Sequence, residues 1–160
     1  MTIQLTDKEI GSLLHEPKML PEGSLSKIKF KTKRGHKEYE LGVTGSSENS
    51  FLLKFRQNEK NALDFSVILL YIPKGSNQYF RLRRYNGKSH EHTNKIEEET
   101  FFGFHIHTAT ERYQQLGLDE DAYAEPTDRY ANLQAATDCI IKDCAFACST
   151  KNKNLATWGM

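Results

Sequence analysis

Leu63-Asp64-Phe65-Ser66-Val67-Ile68-Leu69-Leu70-Tyr71-Ile72 decides the fold. Its apolar residues fall on both phases of a strand, as expected for a central strand covered on both sides. Pro73-Lys74-Gly75-Ser76-Asn77 closes it with a tight loop, and Tyr79 to Tyr85 resumes as another strand. Upstream, Phe51 to Arg56 places Phe51, Leu53 and Phe55 in phase, and Lys37 to Val43 does the same with Tyr39, Leu41 and Val43. Arg34-Gly35 turns into that segment from Lys27 to Lys33, where Ile28 and Phe30 point inward and Lys27, Lys29, Lys31 and Lys33 outward. With Phe101 to His107 downstream, six short strands are expected.

Helices flank them. Thr6 and Glu9 form a capping box, Leu5 can staple to Ile10, and Ile10, Leu13 and Leu14 make one stripe that Pro17 ends. A longer helix is expected from Asp128 to Cys148, capped by Thr127, with Leu133, Ala136, Ile140 and Cys144 as its buried stripe, helped by Ile141. Thr108 to Tyr113 reads as a helical turn, Leu116 to Pro126 as an acidic loop, and Ser149 to Met160 as a frayed polar tail. The pattern is α+β: one domain over residues 1–160, an antiparallel sheet with one face packed on the C-terminal helix and the other open.

At 160 residues the chain can bury a core without staples. Its three cysteines, all between Cys139 and Cys148, do not make a disulfide framework. Met1-Thr2-Ile3-Gln4-Leu5 lacks the pattern of a signal peptide, and the apolar run Val67 to Ile72 is too short to span a bilayer, so a cytoplasmic protein without a membrane partner is expected. The net charge of +1 hides an asymmetry. Residues 1–90 carry sixteen Lys and Arg against nine Asp and Glu, leaving +7; residues 91–160 carry six against twelve, leaving −6. Such a dipole can steer an anion toward the basic part. Outward lysines on an edge strand also defend against aggregation, so they do not by themselves require a ligand.

Four of the six histidines form two His-x-His pairs, His90 with His92 and His105 with His107, downstream of Arg81-Leu82-Arg83-Arg84-Tyr85. Histidine titrates near neutrality and commonly ligates metals. Strict alternation puts Arg81, Arg83 and Tyr85 on one strand face and His105 and His107 on one face of the next, so antiparallel pairing would unite them. A one-residue bulge would swap the faces. The long connection from Asn86 to Glu99 would hang His90, His92 and Asn94 over the end of that surface.

This cluster suggests an RNA-directed protein of toxin or mobile-element type, possessing a metal-independent endoribonuclease activity. His105 and His107 would serve as acid and base with His90 and His92 in support, Arg81, Arg83, Arg84 and Lys88 would hold phosphate, and Tyr85, Asn94, Arg112 and Tyr113 would stack or support. Attack by a ribose 2′-hydroxyl needs no metal, so no cofactor and no stoichiometric zinc, iron or manganese is expected, and EDTA should leave the melting temperature unchanged. A non-enzymatic inhibitor or adaptor is the alternative, with arginines and tyrosines as anchors for a protein or nucleic-acid partner and Leu118-Asp119-Glu120-Asp121 and Glu97 to Glu99 imitating nucleic-acid charge.

Two resemblances bear on these readings. His90-Glu91-His92 with Glu97 resembles the His-x-His-(x)4-Glu core of the first cupin motif, which implies a metal site; Gly87 stands too close before it and no second motif follows. The segment from Phe80 to Tyr123, carrying Phe80 to Gly87, Ser89 to Asn94, Gly103 to His107 and Glu111-Arg112-Tyr113, resembles a family of small uncharacterised bacterial proteins. That resemblance implies no activity.

Overall fold

Thr6 opens the first helix, α1 (Asp7–His15), through the expected capping box: Glu9 N donates to Thr6 Oγ1 at 3.1 Å and Thr6 N donates to the Glu9 carboxylate at 2.9 Å. The structure, a computed structural model, describes residues 3–148. After α1 come β1 (Lys18–Leu20), β2 (Lys31–Lys33), β3 (His36–Thr44), β4 (Ser50–Asn58), β5 (Phe65–Ile72), β6 (Phe80–Asn86), β7 (Glu91–Asn94), β8 (Glu99–Phe102) and β9 (His105–Thr108). They are followed by α2 (Glu111–Gln115), β10 (Ala124–Pro126), α3 (Leu133–Asp143) and β11 (Phe146–Cys148). The fold is α+β.

Seven strands form one antiparallel sheet in the order β10-β9-β6-β5-β4-β3-β2, which puts β5 in the middle, as its two-sided apolar pattern requires. Cross-strand partners share a face. Phe51, Leu53 and Phe55 of β4, Val67 and Leu69 of β5 and Tyr85 of β6 therefore line one face. There α3 packs with Ala136, Ile140 and Ile141 buried, and all of these residues join one hydrophobic core. The opposite face carries Lys54, Arg56, Ile68, Arg84, Asn86, His105 and His107. Among the described residues no helix is long and apolar enough to cross a membrane.

Several boundaries differ from those the sequence suggested. Lys27 to Lys33 contributes only the last three residues as strand, because Gly23, at φ +71°, starts a turn in which Lys27 N donates to Gly23 O at 3.1 Å. Ile28 is then half-buried in irregular chain and Phe30 is exposed. The C-terminal helix is shorter than Asp128 to Cys148. Tyr130 is drawn into the core to donate to both Asn86 O and His105 O, so the helix starts only after Asn132, whose side chain accepts Ala135 N at 2.8 Å. It ends before Ala145, at φ +61°, and the residues beyond form β11, parallel to β1. Cys144 and Cys148 thus do not share a helix, and all three cysteines are free. The expected tail, Ser149 to Met160, lies outside the described residues.

The stretch Phe101 to His107 is not one strand. Gly103, at φ +140°, breaks it into β8 and β9, which belong to different sheets. The expected loop between Asn86 and Glu99 is partly strand as well: β7 folds back on β8 with His92 opposite Phe101 and Asn94 opposite Glu99.

Candidate metal centre

A bulge sorts the arginines. Leu69 faces Arg83 and Leu70 faces Arg81, leaving Leu82 as the extra residue of β6, fully buried, its carbonyl accepting Ala109 N at 2.9 Å. Alternation is therefore interrupted between Arg81 and Arg83. Arg84 lies opposite His107 and Asn86 opposite His105, so Arg84 and Arg81 stand on the histidine face. Arg83 and Tyr85 stand on the other. Tyr85 is fully buried there; its hydroxyl donates to Asp143 at 2.5 Å and receives Arg83 at 3.2 Å. The expectation that Arg83 and Tyr85 meet the histidines is corrected by that one inserted residue.

His105 and His107 are buried on β9 because the β7–β8 hairpin and the 118–122 loop close over the open end of the sheet. The hairpin is held from both sides. Asn94 Nδ2 donates to Ala124 O at 2.7 Å while Ala124 N donates to Asn94 Oδ1 at 2.9 Å. Glu97 accepts from the Tyr113 hydroxyl at 2.6 Å and from the Arg112 guanidinium. His92 is thereby carried back over β9. Its ring lies 5.4 Å from that of His105 and 4.8 Å from that of His107, and a ring nitrogen of each of the three lies within 4.8 Å of the other two.

Their protons can be placed from their partners. His107 Nδ1 meets Asp121 O at 2.7 Å and His105 Nδ1 meets Gly103 O at 2.8 Å; a carbonyl oxygen only accepts, so both nitrogens carry hydrogen. Asn94 is oriented by its two bonds to Ala124, so its Oδ1, 2.8 Å from His92 Nε2, accepts there too. One lone pair remains on each ring: Nε2 of His107, Nδ1 of His92, and Nε2 of His105, which takes a long bond from Asn86 Nδ2 at 3.4 Å. A proton donated outward to an oxygen, with the other nitrogen free, is the arrangement in which histidine ligates a metal.

Burial, and after it the nearby Arg84 guanidinium, drives His107 down to about 2. His105 is also lowered, chiefly by burial. His107 is neutral throughout the physiological range, and a group that weakly basic is mismatched to general acid or base work near pH 7.

The cluster opens on a cleft of about 280 Å³ lined by His92 and His107 together with Arg84, Asn86, His90, Lys95, Asp119 and Asp121. His90 is exposed at its rim, its ring 6.2 Å from that of His105. Asp121 is fully buried; its carboxylate pairs with Arg84 Nε at 3.2 Å and Arg81 Nε at 3.4 Å, yet neither oxygen receives a hydrogen bond. Arg81 also pairs with Asp119 and Glu120. A larger groove of about 670 Å³ lies at the opposite edge of the sheet, among Lys27, Lys29, Lys31, Lys33 and Tyr39.

Residues 5–147 match the model of a family of unknown function, DUF6978. The chain belongs to that family. No curated protein and no solved structure matches it.

The remaining expected site residues divide. Lys88 lies over the Phe102 ring, 5.7 Å from its centroid, rather than in the cleft. Tyr113 is buried and held by Glu97, so it is not free to stack a base; Arg112 covers Tyr123 at 4.6 Å. Glu97 belongs to this contact and not to the histidines, so the cupin-like set His90, His92 and Glu97 does not converge. Asp121 was legible only as part of an acidic run.

Proposed function

We propose that this protein holds a divalent transition-metal ion, zinc in chemical class, on His92, His105 and His107. The observation that carries this is that a ring nitrogen of each of the three lies within 4.8 Å of the other two, while Nε2 of His92 and Nδ1 of His105 and His107 each donate to a protein oxygen. Bonds of about 2.0–2.1 Å to imidazole nitrogen would draw these nitrogens, now within 4.8 Å of one another, to somewhat over 3 Å apart. Three protein ligands would leave a coordination position open, and two of the three, His92 and His107, line the cleft. An ion so held supplies a hydroxide at near-neutral pH, which makes hydrolysis the reaction class the site supports best.

A metal-free ribonuclease has less behind it. His107 is too weak a base, and Arg83 stands on the other face of the sheet, although Arg84 takes its place beside the histidines. An adaptor that imitates nucleic-acid charge has less still, because Glu97, Glu120 and Asp121 are spent on internal arginines.

The test is zinc loading of the purified protein, then gel filtration and elemental analysis, with His107→Ala and the half-buried His92→Ala alongside. Wild type should retain about one equivalent and both variants far less. Retention equal in all three, or none in wild type, overturns the proposal.

A further inference from the structure

Three neutral imidazoles leave a divalent ion with its full charge, and the acids around it are already committed. Arg81 gathers Asp119, Glu120 and Asp121 at 3.8, 3.3 and 3.4 Å. This leaves Arg84 only one carboxylate, which it meets through Nε, while its two terminal nitrogens make no hydrogen bond among the described residues. Lys95, exposed at the same cleft, has no carboxylate within ion-pair distance among the described residues. A metal ion, a free guanidinium fork and an ammonium around one small cleft form a receptor for an oxyanion.

Asp121 narrows the class. The residue is fully buried beneath the cleft that it lines, its carboxylate is ion-paired to Arg81 and Arg84, and neither oxygen accepts a well-directed hydrogen bond. A buried acceptor without a donor marks a missing partner. An oxyanion with no proton could only set its charge against that ion-paired carboxylate; one that keeps a proton near neutral pH can donate it.

We propose that the open position takes a phosphate that still carries a proton near neutral pH, inorganic hydrogen phosphate. One oxygen would face the ion, others would accept from Arg84 and Lys95, and the P–O–H would donate to Asp121. This deepens the metal reading and rests on it.

The two are separable in one experiment on cobalt-loaded protein, read by the visible absorption of the ion. Inorganic phosphate is titrated at pH 6.5, and sulfate, which has the same shape and no proton, is titrated at matched ionic strength. Phosphate should shift the bands, with sulfate at least about tenfold weaker, the size of one charge-assisted hydrogen bond. Lys95→Gln should weaken phosphate several-fold with cobalt affinity unchanged, and Asp121→Asn, which brings its own N–H donors, should narrow the preference over sulfate. Bound cobalt with bands indifferent to phosphate, or phosphate and sulfate of equal strength, overturns this inference and leaves the metal site standing. Failure of cobalt to bind removes the metal reading itself.

Discussion

Asn94 ties the centre to the scaffold. Two of its bonds clamp Ala124 on β10 and the third sets the ring of His92, so one side chain fixes both the hairpin and the tautomer. Asn94→Ala should therefore weaken zinc binding about 10–100-fold, the usual cost of losing a partner behind a ligand. Competition against a chromophoric chelator measures it; an unchanged affinity would mean that His92 is not a ligand. Asp143 acts on the opposite face. Its bidentate bonds from Arg129, both 2.8 Å, and the Tyr85 hydroxyl outweigh burial and hold its carboxyl below the ordinary value. A folded pKa depressed in this way stabilises above the unfolded value of 3.8 and is lost as pH falls through the lower folded one. The stability of wild type relative to Asp143→Asn should be constant near neutrality and shrink below about pH 4, as urea titrations at several pH values would show.

Elements meet at a few points where a single residue decides the geometry. Lys18 is fully buried and its ammonium donates to Leu13 O, Leu14 O, Glu16 O and Cys144 O, at 2.8 to 3.1 Å, tying the C-terminal end of α1 to that of α3. Lys18→Met keeps the volume and abandons those carbonyls, so it should cost about 2 kcal/mol or more. Gly87 ends β6 against the Leu63 backbone, where an added Cβ would overlap the carbonyl. Backbone cannot swing aside as a side chain can, so Gly87→Ala should destabilise by about 2 kcal/mol or more and loosen the turn that launches the His90 segment. Chemical denaturation checks both; a cost under about 0.5 kcal/mol for either would contradict the packing described.

On the scale of the whole molecule, periodicity was enough for the centre of the sheet, and chain topology was needed for its edges and for the site. The two-sided run around Val67 and Leu69 located the central strand, and Thr6 with Glu9 located the first helix, because those signals are local. The bulge at Leu82 was not legible: an apolar residue in phase with Phe80 looks the same whether it alternates or is inserted, and only pairing to Leu69 and Leu70 distinguishes the two. Nor was the return of His92, since the hairpin is held by Ala124 and Tyr113, 30 and 16 residues beyond the side chains that they hold. The charged connection has little apolar surface with which to order itself; hydrogen bonds to the Ala124 backbone and from the Arg112 and Tyr113 side chains hold it instead. The chain thus brings the three imidazoles together by itself, and an ion would have only to draw their nitrogens, now within 4.8 Å of one another, closer. Zinc at a hundred times its dissociation constant should then stabilise the fold by about 2.7 kcal/mol, and EDTA should reverse the gain.

Diffraction from zinc-soaked crystals, recorded on both sides of the zinc absorption edge, tests the centre most directly. The expected result is one anomalous peak bonded at about 2.0–2.1 Å to Nδ1 of His92 and Nε2 of both His105 and His107. The same rings without a peak, or a peak held by His90, His92 and Glu97, would contradict it.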